Sequence, residues 1–206
     1  MRIILAFVLA VFGPAALASG LEPGPRVQVR AVIDGDTVVL AEPVDGADQV
    51  RLVGIQVPKL PLGRAGFKTW PLAAAAKAAL EVLVLGKTVD LAFGRRRMDR
   101  HGRILAHLLV ADGVWVQGAM LGQGMARVYS FPDNRSRIAE MLAEERAARV
   151  ARRGIWGHPF YAVRDPDGLA RHMSTFQVIE GRVAAGQGDG LFELRRRLAD
   201  GLHGAP

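Results

Sequence analysis

The chain has 206 residues, half of them hydrophobic, and so has enough apolar material for one domain of ordinary size with tails. It contains no cysteine, which excludes disulfides, zinc–thiolate sites and thiol nucleophiles. A formal net charge of +7 and a pI near 10.7 favour anionic partners such as nucleic acid, nucleotides or an acidic membrane surface.

The first stretch reads as a targeting segment. Arg2 gives a positive start, residues 3–12 are an unbroken apolar run, Gly13-Pro14 breaks it, and Ala16-Leu17-Ala18 has the small-x-small pattern of a cleavage site. Residues 1–18 are therefore expected to be a signal peptide, and the chain is expected to be exported to the periplasm or the medium. The apolar run is short for a membrane span, so none is expected after cleavage.

Residues 19–25 read as a linker and residues 27–33, VQVRAVI, as a first strand. The chain is organised around AVIDGDTVVL, residues 31–40, in which Asp34-Gly35-Asp36-Thr37 form an acidic turn between two β-branched runs. Asp-Gly in that setting is a hairpin signal, with glycine supplying a positive φ. Residues 37–40 then return, residues 42–47 connect, and residues 50–55 form a third strand with a bulge at Gly54. Residues 56–67 are a loop and residues 69–85 a helix, with Pro71 in its first turn and Gly86 as its stop. Residues 88–93 and 104–110 are strands on either side of the basic turn GRRRMDRHGR. Asp112-Gly113 repeats the hairpin signal, with residues 114–116 returning. A short helix over 117–123 and a last strand over 126–129 follow. Residues 135–153 are a long helix, amphipathic through Ile138, Met141, Leu142 and Val150, and Ile155-Trp156 is expected to fold back as a latch. The domain is bounded at 26–161. In the tail, 162–206, FQVIEGRV over 176–183 reads as an isolated strand, 186–190 as a glycine-rich linker and 191–202 as a basic amphipathic segment. A lone strand leaves its edges unpaired, so the tail is expected to be a poorly ordered remnant of a β-module.

Two carboxylates at one strand end suit a hard cation or phosphate chemistry. Two arginines on later strands, Arg51 in VRLVGI and Arg103 in DRHGRILA, suit phosphate oxygens, because the guanidinium fork matches them. Five strands, a helix after the third and further helices compose a mainly β architecture: a five-stranded barrel of the OB type capped by helices.

The sequence resembles the thermonuclease family, the staphylococcal-nuclease-like domain, over residues 27–156. The resemblance rests on IDGDTVVL, VRLVGIQVP, GKTVDL, DRHGRILA, GMARVY and the arginine-rich last helix ending in GIW. It implies hydrolysis of DNA and RNA phosphodiesters with calcium. It also implies that Asp36 is a calcium ligand, Asp34 its supporting carboxylate, and Arg51 and Arg103 the catalytic, phosphate-clamping arginines, with Arg100 and His101 beside the substrate.

The family's Asp-Thr-Pro-Glu stretch is here Gln56-Val57-Pro58-Lys59. A neutral amide stands at the second metal carboxylate, and an ammonium stands where the family places its general base. A lysine ammonium accepts no proton from water. One aspartate and an amide are a poor calcium set. Calcium is therefore expected to bind weakly at best, and no other cofactor is expected. The leading expectation is an exported protein that binds nucleic-acid phosphodiesters with family-type catalysis weak or lost. The alternatives are an active phosphodiesterase with another base, His101 first among candidates, and a non-enzymatic envelope interaction module. Tyr129 and Phe131 read as core or latch aromatics, with base stacking the alternative.

Overall fold

The computed structural model describes residues 20–165, 168–169, 171, 177–179, 182–186 and 192–195. The expected signal peptide lies outside the described residues. A closed barrel forms from β1 (Glu22–Asp34), β2 (Thr37–Val44), β3 (Ala47–Leu52), β5 (Thr88–Phe93) and β6 (Ile104–Val110), in the order β1-β2-β3-β6-β5. The mainly β, OB-type five-stranded barrel of the sequence reading is the fold observed.

The first strand closes the barrel because it serves two neighbours. Residues Glu22 to Gln28 pair with β5, and Val29 to Asp34 pair with β2. Register shifts along β1 bend it from one partner to the other, as bulges do. The expected linker 19–25 therefore belongs in part to the barrel: Glu22 and Pro23 are paired to Phe93 and Ala92. Asp45-Gly46, both at positive φ, turn β2 into β3 as a second Asp-Gly hairpin inside the expected connection. The third strand has the expected length but begins and ends three residues earlier than expected. It ends at Leu52, and Gly54 at φ 81 turns the chain into β4 (Ile55–Gln56), which leaves the barrel to pair with β7 (Arg127–Val128).

The core is built from Val29, Val38, Leu40, Val50, Leu52, Leu91, Ile104 and Leu108 of the strands. Against them pack Ala76, Leu80 and Val84 of α1 (Ala73–Val84), Met120 and Leu121 of α2 (Val116–Gly122), and Met141 of α3 (Ile138–Val150). Helix α1 starts later than expected: Pro71 precedes it and Leu72 sits at φ 64. Residues 114–116 do not return as a strand. Only a Leu109–Trp115 bridge forms before α2 begins. The apolar stripe expected on α3 is also narrower. Met141 is buried, whereas Leu142 and Val150 are exposed and the interior places are taken by Glu145 and Ala148. Ile155 does latch, its N–H donating to Gly124 O at 2.9 Å. In the tail, Val178–Ile179 pairs with Val163–Arg164, and Arg182–Gly186 pairs with Phe192–Arg195. Among the described residues, no helix is long and apolar enough to cross a membrane.

The acidic turn owes its glycine to packing rather than to φ. Gly35 is not among the positive-φ residues, but a Cβ on it would lie 2.9 Å from Ala76 Cβ and 3.0 Å from Ala76 C. The missing side chain lets α1 press against the turn. Neither an alanine methyl nor a helix backbone can swing aside, so Gly35→Ala is expected to destabilise by about 1–3 kcal/mol, measured by urea unfolding.

A second polar knot ties α2 to the barrel. Gln117 Oε1 accepts from Leu108 N–H and its Nε2 donates to Ala106 O, while Trp115 Nε1 donates to buried His107 Nδ1. Burial, aided by the Arg137 guanidinium, pushes His107 down to about 3, so it stays neutral in the fold. The unfolded chain binds that proton below about 6.5 and the native chain does not. Stability should fall as pH drops from 6.5 towards 3, by up to about 1.4 kcal/mol per unit from this group. His107→Gln should flatten the slope of unfolding free energy between pH 6.5 and 5.

Candidate phosphate-binding site

Two turns and one strand end meet to make the site. The acidic turn holds Asp34 and Asp36 against α1, both nearly excluded from solvent. Asp36 N–H donates to Asp34 Oδ1 at 3.1 Å, and Asp36 O accepts from Leu52 N–H at 2.9 Å, fixing the turn to β3. The Asp36 carboxylate, only 1% exposed, is surrounded by donors. Lys59 Nζ lies 2.7 Å from Oδ2, Arg51 Nη2 3.0 Å and Val57 N–H 3.3 Å, while Thr37 Oγ1 lies 3.3 Å from Oδ1. Burial alone would raise this carboxyl, but the adjacent Arg51 and Lys59 hold it below its ordinary range. Asp34 moves the other way. Burial first, then the neighbouring Asp36 charge, raises it against the more distant pull of Lys59, whose Nζ is 4.0 Å from Oδ2.

Arg51 is an internal residue rather than a surface strand charge. Its Nη1 donates to Leu52 O at 2.5 Å and to Asp36 O at 3.4 Å, and its Nη2 donates to Ile55 O at 2.8 Å. The guanidinium thus holds the Val53-Gly54 turn closed and joins it to the acidic turn. Arg103 is brought alongside by topology. Strands β3 and β6 pair in parallel with Arg51 opposite Leu105, so the turn before β6 stands beside the end of β3. Asp99 organises that turn. Its Oδ1 accepts from the N–H groups of His101 and Arg103, and its Oδ2 from Arg103 Nε at 2.8 Å. Burial opposes the ionised form of Asp99, but these bonds and the Arg103 charge keep it lowered.

Between the Val53-Gly54 turn and the basic turn before β6 lies an open groove of about 560 Å³. Arg51 and Arg103 both line it, as do Arg96, Arg100 and His101, and Tyr129 and Phe131 form its rim. The two rings meet edge to face at 5.0 Å and are 39% and 53% exposed, so they are not the core aromatics expected from sequence. Asp34, Asp36, Gln56 and Lys59 lie behind this wall rather than in it. Gln56 is held from the far side, where Arg127 Nη2 donates to its Oε1.

Sequence reasoning passed over three residues that shape the site. Asp99 sits four residues before Arg103, a spacing that announces a turn-closing pair. Arg127 and Glu145 carried no such signal. Glu145 accepts from Val128 N–H and pairs with Arg149, a role set by how α3 crosses β7.

The geometry agrees with the relatives found for the chain. Residues 49–158 match the profile of the family described as Staphylococcal nuclease homologue. The chain is 26% identical to the Thermonuclease of Staphylococcus intermedius over 159 residues, 74% of this chain and 92% of that protein. It is 33% identical to Protein ParB of Escherichia coli over 145 residues, covering 65% and 73% respectively. It is 28% identical to Endonuclease YhcR of Bacillus subtilis (strain 168) over 134 residues, which is 62% of this chain and 11% of that protein. With the profile spanning more than half of its length and the expected barrel beneath it, the chain belongs to the staphylococcal nuclease homologue family.

Proposed function

We propose that this protein binds the phosphodiester backbone of single-stranded nucleic acid in the groove between Arg51 and Arg103, and does not cut it by a calcium-dependent route. The observation that carries the reading is the 2.7 Å contact between Lys59 Nζ and Asp36 Oδ2 beside that groove. Calcium takes six to eight oxygen ligands, several of them anionic. Here one oxygen of the central carboxylate is taken by an ammonium and a guanidinium, and Gln56 offers a neutral amide oxygen already bonded to Arg127. Among the described residues no group of three or more His, Asp or Glu is set to hold a metal ion. The residues present do not fit the family's cation.

A general base is missing in the same way. Lys59 stands at the base position with a proton to give and none to accept. His101 does line the groove, but its Nε2 accepts from Arg100 Nε at 3.2 Å, which occupies the lone pair a base would use. What remains is a binding surface. Among the described residues Arg103 reaches Asp99 through Nε and Nη2 and has Nη1 left for a phosphate oxygen, while Arg100 lies exposed beside it. Arg51, with both terminal nitrogens bonded to the protein, supports the floor and adds charge. Tyr129 and Phe131 offer faces on which bases can stack. Because Arg51 and Arg103 line one groove rather than pointing apart, an envelope module that uses the barrel only as a scaffold is the less supported reading. Export rests on the sequence of residues 1–18, and N-terminal sequencing of the recovered protein should begin at Ser19.

Two assays test this reading. A labelled single-stranded oligonucleotide should bind in EDTA, weakly and with affinity falling steeply as salt rises, because phosphate contacts release counterions. Arg103→Ala should weaken that binding. The wild type should show little or no calcium-stimulated hydrolysis. Gln56→Asp with Lys59→Glu, which together remove three units of positive charge, should gain measurable calcium-dependent cleavage. The gain should be partial, since about an ångström of misplacement can cost on the order of a hundredfold in rate. Salt-insensitive binding, or robust calcium-dependent cleavage by the wild type, would overturn the reading.

A further inference from the structure

Behind the groove, charges are balanced before any ligand arrives. Two buried carboxylates, Asp34 and Asp36, face two cations, Lys59 and Arg51, so the cluster sums to zero when all four are ionised. The Lys59 ammonium stands nearest the middle, 2.7 Å from Asp36 Oδ2 and 4.0 Å from Asp34 Oδ2, with its side chain only 21% exposed. Its backbone is pinned as well. Lys59 O accepts from Trp70 N–H at 3.0 Å, and Pro58 precedes it.

The structure assigns Lys59 the part of a tethered cation: its ammonium does at Asp36 and Asp34 the charge-balancing that a bound divalent ion would do, making the fold of this chain independent of calcium. An exposed lysine–aspartate pair would not serve, because water and salt screen it and the long side chain resists ordering. This pair is shielded, and its lysine is held at both ends. A divalent ion added to the intact cluster would bring a net charge of two into a site with almost no solvent, beside an ammonium that repels it. Removing the ammonium alone leaves two carboxylates facing one guanidinium, with a space between them that an ammonium had filled. That arrangement calls for a cation from solution.

This inference deepens the function proposed above and rests on its placing of Asp36 and Lys59 at the family's cation site. Its test uses the full chain without nucleic acid, so that either can fail alone. Thermal unfolding is measured in EDTA and in millimolar calcium. The wild type should have the same Tm in both. Lys59→Ala should have a lower Tm in EDTA and recover much of the loss in calcium. Lys59→Arg, which keeps the charge, should stay close to the wild type and ignore calcium. A wild-type Tm raised by calcium would overturn the inference, as would a Lys59→Ala protein that matches the wild type in EDTA or is destabilised without calcium recovery. Should Lys59→Ala fail to fold, calorimetric titration of the wild type with calcium chloride decides: no saturable heat supports the tethered cation, and a saturable heat overturns it.

Discussion

A carboxylate that is almost wholly buried needs a cation, and Asp36 sets this requirement for the whole site. Moving such a charge out of water is costly unless it is paired and hydrogen-bonded. Each unit charge at about 4 Å returns about 4 kcal/mol at an effective dielectric near 20, so two well-placed cations can offset the loss. Arg51 and Lys59 meet that need from different elements: one from the end of β3, the other from the loop after β4. The acidic turn cannot shift towards solvent in search of better hydration, because α1 rests against Gly35. The carboxylate is therefore fixed first and the cations come to it.

The same pairing explains the break in the third strand. Arg51 cannot serve Asp36 and also let the strand run on, since its guanidinium binds the carbonyls of Leu52 and Ile55 on either side of the Val53-Gly54 turn. The turn releases β4 to pair with β7, and that pairing carries the chain towards the groove rim. From there residues 127–134 run as a strap. Tyr129 N–H donates to Gly54 O, and Asn134 Nδ2 donates to Arg96 O in the basic turn. The two aromatic rings are held at the rim by backbone bonds on both sides, which leaves their faces exposed without leaving them loose.

Elements with strong local signals were legible in the sequence. Strands 88–93 and 104–110 lie where the sequence predicts them, because each is a short, mostly apolar run with turn residues beyond its ends. The acidic turn was also placed, though for the wrong reason: Asp-Gly was read as a demand for positive φ, and the demand comes instead from Ala76 across space. Where tertiary contacts override local pattern, the reading slipped. Glu145 occupies an interior place on α3 because a backbone N–H of β7 needs an acceptor there, and no periodicity announces that. Val150 falls on the expected apolar stripe of α3 yet faces solvent, and the interior place in that turn goes to Ala148. Arg51 and Arg103 are far apart in sequence and come to one groove through the parallel pairing of β3 and β6, which no local pattern announces.

Gln56 and Lys59 are held by different partners. With the amide at 56, Arg127 bonds one neutral oxygen on its side of β4, and the ammonium is left to Asp36 and Asp34 on the other. Arg51 lines the groove and shares Asp36 with Lys59, whereas the other lining arginines Arg96 and Arg103 are held by Asp133, the Met98 carbonyl and Asp99, which neither position touches. Arg96 and Arg103 on the groove and Lys59 at the buried carboxylates are thus supported by different bonds.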